Sequence, residues 1–547
     1  MARHIDTPDE LLLRADVLIL GGGPAAAWAA IAAAEEGASV VVADKGYLGA
    51  SGVAATAGVG HWLVPPIAAR RDEEISAREH IGRFLTDREW TNAVLDEVWN
   101  RTALIEQWNF RSVTPSTRTR GPFAARPGER SFAGPAPDYL RFLRGRVKKA
   151  GAVVLDHSPG FELLVDNAGT VSGGAGYQRQ RGRPWSVRSS AVILATGGTT
   201  WKSHSLGGDT NTGDGQLMAV ELGAHLSSME FSNFYGMVPF GSSMDKNGYF
   251  GAASYWDHEG NPIDYDNLHG SRATLLAASL RGTITAQFTQ FGPDMQPVVR
   301  ENMPNFFMVT DKLGIDPFSQ RFPIDWVQEG TVRGTGGIHL LDRRAWTGVP
   351  GLFAAGDVAA RDRIVGAATG AGGPNLAWAV ATGTWAGRGA AEFAASRRPE
   401  DDLAPSGTKG LRSARDGSSS VDIGAITEQI RGQMLPIDKS VFRTDDGLRA
   451  GIALLDRLWD EHDFVPHSPA QAQQYRETTA MLAMGRWALH TALLRTETRG
   501  MHTRVDHPTE DRAQQRRLLS GGLEDIWVRP DPVTPLLGTA TLARSTP

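Results

Sequence analysis

A glycine-rich turn opens GGGPAAAWAAIAAAEEG, directly after a short apolar run over 16–20, and a second apolar segment, ASVVVADKG, follows at 38–46. Read as strand, turn, helix and strand, this places Gly21, Gly23 and Ala26 where backbone can approach a pyrophosphate. Free N–H groups and the helix dipole favour negative charge at such a helix N-terminus. Asp44, at the end of the second strand, is positioned to accept hydrogen bonds from a ribose. These residues predict a dinucleotide site. Further along, SMEFSNFYGMVP at 228–239 is apolar and strand-like and carries a phenol, Tyr235. Its hydroxyl has the chemistry of an orienting donor or a weak acid.

The elements that must hold these groups belong to a chain of 547 residues, 41% hydrophobic and 21% charged, which is enough for two or three domains with real cores. Strand-like segments recur at 152–195, ending in AVILATGG, and at PGLFAAGD over 350–357, with a small-residue helix after Asn375. The polar, Ser-, Gly- and Pro-rich stretch 397–422 reads as a linker or long loop, and helical periodicity follows it. Net charge is -5, so no global basic field favours nucleic acid. The chain has no cysteine, which excludes disulfides, thiolate metal sites, a cysteine nucleophile and an iron–sulfur cluster on its own thiolates. His61 and His502 stand without a close His/Asp/Glu cluster, so no metal site is expected. The N-terminus lacks a secretory pattern and the alanine-rich stretches are poor in Leu and Ile, which predicts a cytoplasmic protein with no membrane span.

VILATGG at 192–198, NTGDGQLMAVELGA at 211–224, MEF at 229–231, GTGGIHL at 334–340, GVPGLFAAGDVA at 348–359 and GAGGPNLAWA at 370–379 occur in a characteristic order. With RTETRGMHTRVDHPTED near the C-terminus, they resemble the flavoprotein subunits of succinate dehydrogenase and fumarate reductase, L-aspartate oxidase and the alpha subunit of adenylylsulfate reductase. The resemblance implies FAD, bound by an α/β Rossmann-like domain over 1–227 and 338–400. It also implies an inserted capping domain at 228–337, a linker at 401–422 and a C-terminal helical domain at 423–547. Cofactor contacts are then expected from Gly21, Gly23, Pro24, Ala25, Ala26, Asp44 and Lys45, and from Ser51, Gly52, Val53 and Ala54. Thr196, Gly197, Asp214, Gly356, Asp357, Pro374, Asn375 and Leu376 complete that set.

Aligning Val53-Ala54-Ala55 with the respiratory enzymes puts Ser51 where they carry the histidine that bonds to the flavin, which implies noncovalent FAD. Their substrate-binding His-Pro-Thr falls at Tyr235-Gly236-Met237, a second histidine at Val332 and an arginine near Gly370. A buried dicarboxylate would lose several charge-assisted hydrogen bonds, each worth roughly 1.5–3 kcal/mol. Succinate and fumarate are therefore poor substrates for this sequence. Tyr235 either lines a pocket re-made for a less charged, aromatic ligand or packs with its hydroxyl on backbone. The resemblance sets the cap's proton-donating arginine, followed by a short helix, at Arg281, as donor or as anion anchor. Arg333, beside GTGGI, is the other cation expected near the flavin, and Trp62, Trp201, Trp256 and Trp378 fit an aromatic pocket.

The expected function is an FAD-dependent oxidoreductase moving a hydride between a small organic substrate and flavin N5. The alternative is a flavoprotein subunit that exchanges electrons with an iron–sulfur partner protein, and a third reading is a flavin protein that has lost its redox role. The arginine-rich stretch 111–130 reads as a solvated loop, an active-site cover or a dock for an acidic partner.

Overall fold

The computed structural model describes residues 4–6, 9–110, 129–246, 248–265, 272–370, 373–398, 402–412, 422–461 and 466–533. The arginine-rich stretch, apart from its last two residues, lies outside them. The apolar run that precedes the glycine turn is the central strand Leu11–Leu20, parallel to Val40–Ala43 on one side and to Arg183–Leu194 on the other. Val153–Leu155 extends the first side, and an antiparallel pair, Val171–Gln178 and Gly160–Val165, extends the second. Leu352–Ala354 runs parallel to the end of Arg183–Leu194. The result is a Rossmann-like α/β sheet, covered by the helices Pro24–Glu35 and Gly373–Ala395.

Those two helices are rich in Ala and Gly because they pack backbone to backbone: a Cβ on Gly383 or Gly387 would lie about 2.5 Å from the carbonyls of Ala25 or Ala29. Among the described residues no helix is long and apolar enough to cross a membrane. The first part of the expected linker behaves differently from a free loop. Ala404–Pro405 pairs with Gly160–Val165 as an edge strand, and Arg412 is ion-paired with Glu162.

The chain leaves the sheet region at Leu226–Ser227 and returns at Gly337–Ile338, two short strands that pair with each other. Between them lies an antiparallel sheet of Phe234–Pro239, Phe322–Glu329, Thr285–Gln287 and Ser254–Trp256, with helices Ala273–Ser279, Gln296–Asn302 and Pro304–Lys312. Its core is built from Phe250, Phe288, Phe306, Phe318 and Phe322, whose rings meet mostly edge to face. After 422 come the helices Ile423–Met434, Asp445–Glu461 and Pro469–Leu494. The C-terminal part is not helical throughout, because the hairpin Leu518–Gly521 and Trp527–Pro530 joins Leu226–Ser227 and extends the sheet at the base of the cap.

The RGMHTR segment is buried at this junction. Arg495 pairs with Glu230 and Glu497 at 2.8 Å, Arg499 pairs with Glu497, and these four side chains are at most 2% exposed. His502 accepts from Arg443 through Nδ1 and donates to the Arg495 carbonyl through Nε2. Burial and the surrounding arginines hold it well below the usual histidine range, so it is a neutral structural ring.

Candidate functional site

A cavity of about 870 Å³ runs from the glycine turn to the inner wall of the cap. Its floor begins at Gly21, whose φ of +120° belongs to glycine, and Gly22, where a Cβ would lie 2.3 Å from the Asp44 carboxylate. A Cβ on Gly23 would meet no protein atom within 4 Å, so the space beside it faces the cavity. Gly23 is also the N-cap of Pro24–Glu35 and caps it with no side chain, which leaves the first N–H groups of the helix open to an anion.

Asp44 accepts a 2.5 Å hydrogen bond from Ser51, and burial pushes its carboxyl up. Ser51 thus stands beside the Asp44 carboxylate, and Gly52, Val53 and Ala54 continue the wall. No histidine is among the described residues that line the cavity. His61 follows the lining strand Gly58–Gly60 but turns its ring away, bonded to Thr102 at 2.6 Å and Tyr139 at 3.1 Å.

Lys45 lines the cavity and is ion-paired with Asp214 and, at 3.1 Å, with Glu477 of the helix Pro469–Leu494. The two carboxylates outweigh the desolvation that opposes them and push the lysine up. Thr196 and Gly197 line the opposite side, and Thr196 Oγ1 is buried without a partner. Asp357 follows Gly356 and is ion-paired with the fully buried Arg361. Arg361 also donates to the carbonyls of Gly334, Thr331 and Val332 at 2.6–2.7 Å, which ties Asp357 to the turn that carries Arg333. Pro374, Asn375 and Leu376 line the cavity at the start of Gly373–Ala395, and Asn375 Oδ1 is buried without a partner. A glycine cradle, an open helix N-terminus, a buried ribose-side carboxylate and two orphaned polar atoms suit a dinucleotide with an amide-rich ring, which fits FAD.

The cap wall differs from expectation. Tyr235 is outside the cavity lining: its hydroxyl donates to the Leu435 carbonyl at 2.6 Å, and the ring packs on Leu276 and Val441. Burial pushes the phenol up, which removes it as an acid near neutral pH. Arg281 is exposed and also outside the lining. The arginine that directly precedes the short helix Ala273–Ser279 is Arg272, which donates to the Tyr235 carbonyl and lies over the Phe234 ring. Arg333 does line the cavity, 3.3 Å from Glu329, as does the apolar Val332, whereas Gly370 does not. None of the four expected tryptophans lines it: Trp62 donates to Glu74, Trp201 to Met481, Trp378 to Ala359, and Trp256 lies under Arg321. The aromatic surface comes instead from Tyr249, Tyr265 and Phe291 of the cap.

Sequence reasoning also missed Lys246. Its Nζ pairs with Asp245 at 2.5 Å and Glu329 at 2.7 Å, and both carboxylates are fully buried behind it. Burial and the neighbouring Glu329 push Asp245 up to about 7. Burial pushes Glu329 up as well, but Lys246 and Arg333 outweigh that and hold it below the carboxylate range. Lys246 and Arg333 act on both acids and Arg272 on Glu329 as well, so Glu329 is the acid that stays ionised. The charged pair in MDKNGY was the available signal.

Comparison with known proteins agrees with this geometry. The FAD binding domain family matches residues 16–239, and the family described as fumarate reductase flavoprotein C-term matches 432–519. The fumarate reductase flavoprotein subunit of Mycobacterium tuberculosis is 28% identical over 64% of this chain and 66% of its own length, just under two thirds. L-aspartate oxidase of Streptomyces coelicolor is 24% identical over 92% of this chain and 91% of its own. Among solved structures, E. coli quinol fumarate reductase superposes with a TM-score of 0.77 at 20% identity, covering 96% of this chain and 98% of that one. Adenylylsulfate reductase of Archaeoglobus fulgidus gives 0.74 at 16%, covering 97% of each. These last two establish likeness of fold.

Proposed function

The chain is a member of the FAD-dependent oxidoreductases that include succinate dehydrogenase and fumarate reductase flavoproteins, and from that premise we propose that it moves a hydride between a small organic substrate and noncovalent FAD. The observation that carries this reading is the make-up of this cavity. Its floor holds the glycine turn, Asp44 and Asp357, while its cap wall holds Lys246, Arg333 and three aromatic rings, with no histidine among the described lining residues.

When bound, FAD supplies the hydride acceptor or donor at its ring. The chain's own residues hold and orient. Gly21–Ala25 and the N-terminus of Pro24–Glu35 would hold the pyrophosphate, and Asp44 a ribose. Asp357, steadied by Arg361, and Asn375 at the start of Gly373–Ala395 would supply further polar contacts to the cofactor. The cap excludes water over this surface. At the positions that would hold a dicarboxylate stand Tyr235, committed to Leu435, apolar Val332 and Gly370. Succinate and fumarate are accordingly outside the substrate class.

Two measurements test this. Acid precipitation of the purified yellow protein should leave the flavin in the supernatant; flavin retained in the pellet would overturn the noncovalent reading. Dithionite-reduced protein should be reoxidised by fumarate no faster than by buffer alone, and fumarate-dependent reoxidation would overturn the substrate reading.

A further inference from the structure

The cap presents charge to the cavity in an uneven way. Asp245 and Glu329 have fully buried side chains, while the tips of Lys246 and Arg333, 4% and 15% exposed, reach the cavity. Asp245 stands behind the wall and Glu329 belongs to the lining with its side chain fully buried, so the exposed charge that a ligand meets is that of the two cations. Beside it the lining is apolar and aromatic, formed by Tyr249, Tyr265, Phe291 and Met303, with Tyr249 and Phe291 edge to face at 5.4 Å. The Tyr265 hydroxyl is turned to the Ala253 carbonyl at 2.9 Å, which leaves its ring as the surface offered.

We propose that Lys246 and Arg333 seat a single carboxylate of a substrate whose aromatic or apolar body lies on the Tyr249, Tyr265, Phe291 and Met303 surface. The proposal rests on the reading of this cavity as the flavin and substrate site and names the substrate class. A monoanion suits the wall better than a dianion, since the surface beside Lys246 and Arg333 is mostly apolar and aromatic and the cavity's other lysine, Lys45, is already paired with Asp214 and Glu477. A neutral ligand would leave the lysine's remaining N–H, and the guanidinium N–H groups not turned to Glu329, without a charged acceptor.

The groups around the anion site give it a pH dependence. Asp245 faces Lys246 on its own loop, Glu329 at the end of Phe322–Glu329, and Arg333 in the turn beyond it. Arg272, at the head of Ala273–Ser279, adds a cation beside Glu329 and Arg333, lowered to about 9 mainly by burial and then by Arg333. With Asp245 protonated, three cations oppose one carboxylate. As pH rises through about 7, Asp245 ionises, one positive charge is cancelled, and the attraction for an anion weakens.

The test is calorimetric titration of the flavin-loaded protein with phenylacetate, phenylacetamide and succinate at pH 6 and pH 8.5, with flavin content and melting temperature measured on every sample. Phenylacetate should bind about tenfold or more tightly than its amide and than succinate, and more tightly at pH 6. Asp245→Asn should bind phenylacetate equally at both pH values, and Lys246→Arg should retain the preference that Lys246→Met loses. Equal binding of acid and amide overturns the proposal. So does a Lys246→Met protein that stays folded but sheds flavin, since the lysine would then serve the cofactor. Purification of the unaltered chain without flavin would instead defeat the underlying reading of the cavity.

Discussion

Replacing Tyr235 by Phe separates two roles for this phenol. In the structure the hydroxyl donates 2.6 Å to the Leu435 carbonyl and also meets the Ser440 side chain, and the residue is 3% exposed. Phe keeps the ring contacts with Leu276 and Val441, so the change removes the hydroxyl's neutral hydrogen bonding and leaves a partly buried carbonyl without its donor. A net bond of this kind is worth about 1 kcal/mol, and the stranded acceptor raises the cost to about 1–2 kcal/mol. For an unfolding unit of the size of the cap and the helical domain together, that corresponds to a fall in Tm of about 2–8 °C. The assay is a thermal melt followed by flavin fluorescence, run beside stopped-flow reoxidation of the reduced protein and phenylacetate titration. Stability should drop while both site readouts stay within about twofold of the parent. An unchanged Tm with a tenfold change in either site readout would refute the structural assignment and return the phenol to the cavity.

Three further outcomes follow from the same geometry. Gly22→Ala would set a Cβ 2.3 Å from Asp44 Oδ2, so the carboxylate must swing out of its ribose position; flavin affinity should fall about tenfold or more, read as flavin retained on gel filtration. Arg361→Lys keeps the charge but loses the fork that joins Asp357 to three carbonyls; flavin retention should fall together with about 2 kcal/mol of stability, checked by urea unfolding with and without added FAD. Glu477, which burial alone would push up, is held at about 2 by Lys45 and Lys202, worth about 3 kcal/mol that is fully present above the unfolded value of about 4.3 and lost as pH falls toward 2. Glu477→Gln should therefore flatten the decline of stability between about pH 5 and pH 2 in urea unfolding curves, and an unchanged slope would contradict the ion-pair network.

That Gly21, Asp44, Asp214 and Asp357 line one cavity was legible in the sequence because the parts of its floor are local. Gly21, Asp44, Asp214 and Asp357 each sit at a strand end or helix start, where turn chemistry and hydrophobic runs mark the position within a few residues. The cap side was not, because its chemistry is assembled across distance: Lys246 meets Glu329 83 residues away, and neither lies in a periodic segment that would place it. The arginine before the short helix was misplaced for a different reason. Arg272 and Arg281 flank the same helix, and TITAQF after Arg281 holds the strand Thr285–Gln287, as its β-branched residues favour. The aromatic pocket was expected from tryptophans, yet those are spent on backbone and carboxylate partners in the core, and the smaller tyrosines of a cap loop take their place.

The residue that looked most like an active-site substitution acts on the site through the backbone. Asn233, Tyr235 and Gln328 all bond to the segment 434–440 or to Met501, which fixes the strand pair Phe234–Pro239 and Phe322–Glu329 against the helical domain. In that pair Gly236 lies opposite Val327, and Glu329, two residues further along Phe322–Glu329, brings its carboxylate to Gly236. A Cβ at Gly236 would stand 2.5 Å from Glu329 Oε1 and 3.0 Å from Asp245 Cβ, so only glycine lets both acids close behind Lys246. The charge wall of the cavity therefore depends on strand register, and the register on bonds made outside the cavity. A histidine at 235 aimed at a substrate would leave the Leu435 carbonyl unserved and the strand pair less firmly held. The phenol at 235 is turned from the cavity to the neighbouring domain, where its hydroxyl serves the Leu435 carbonyl.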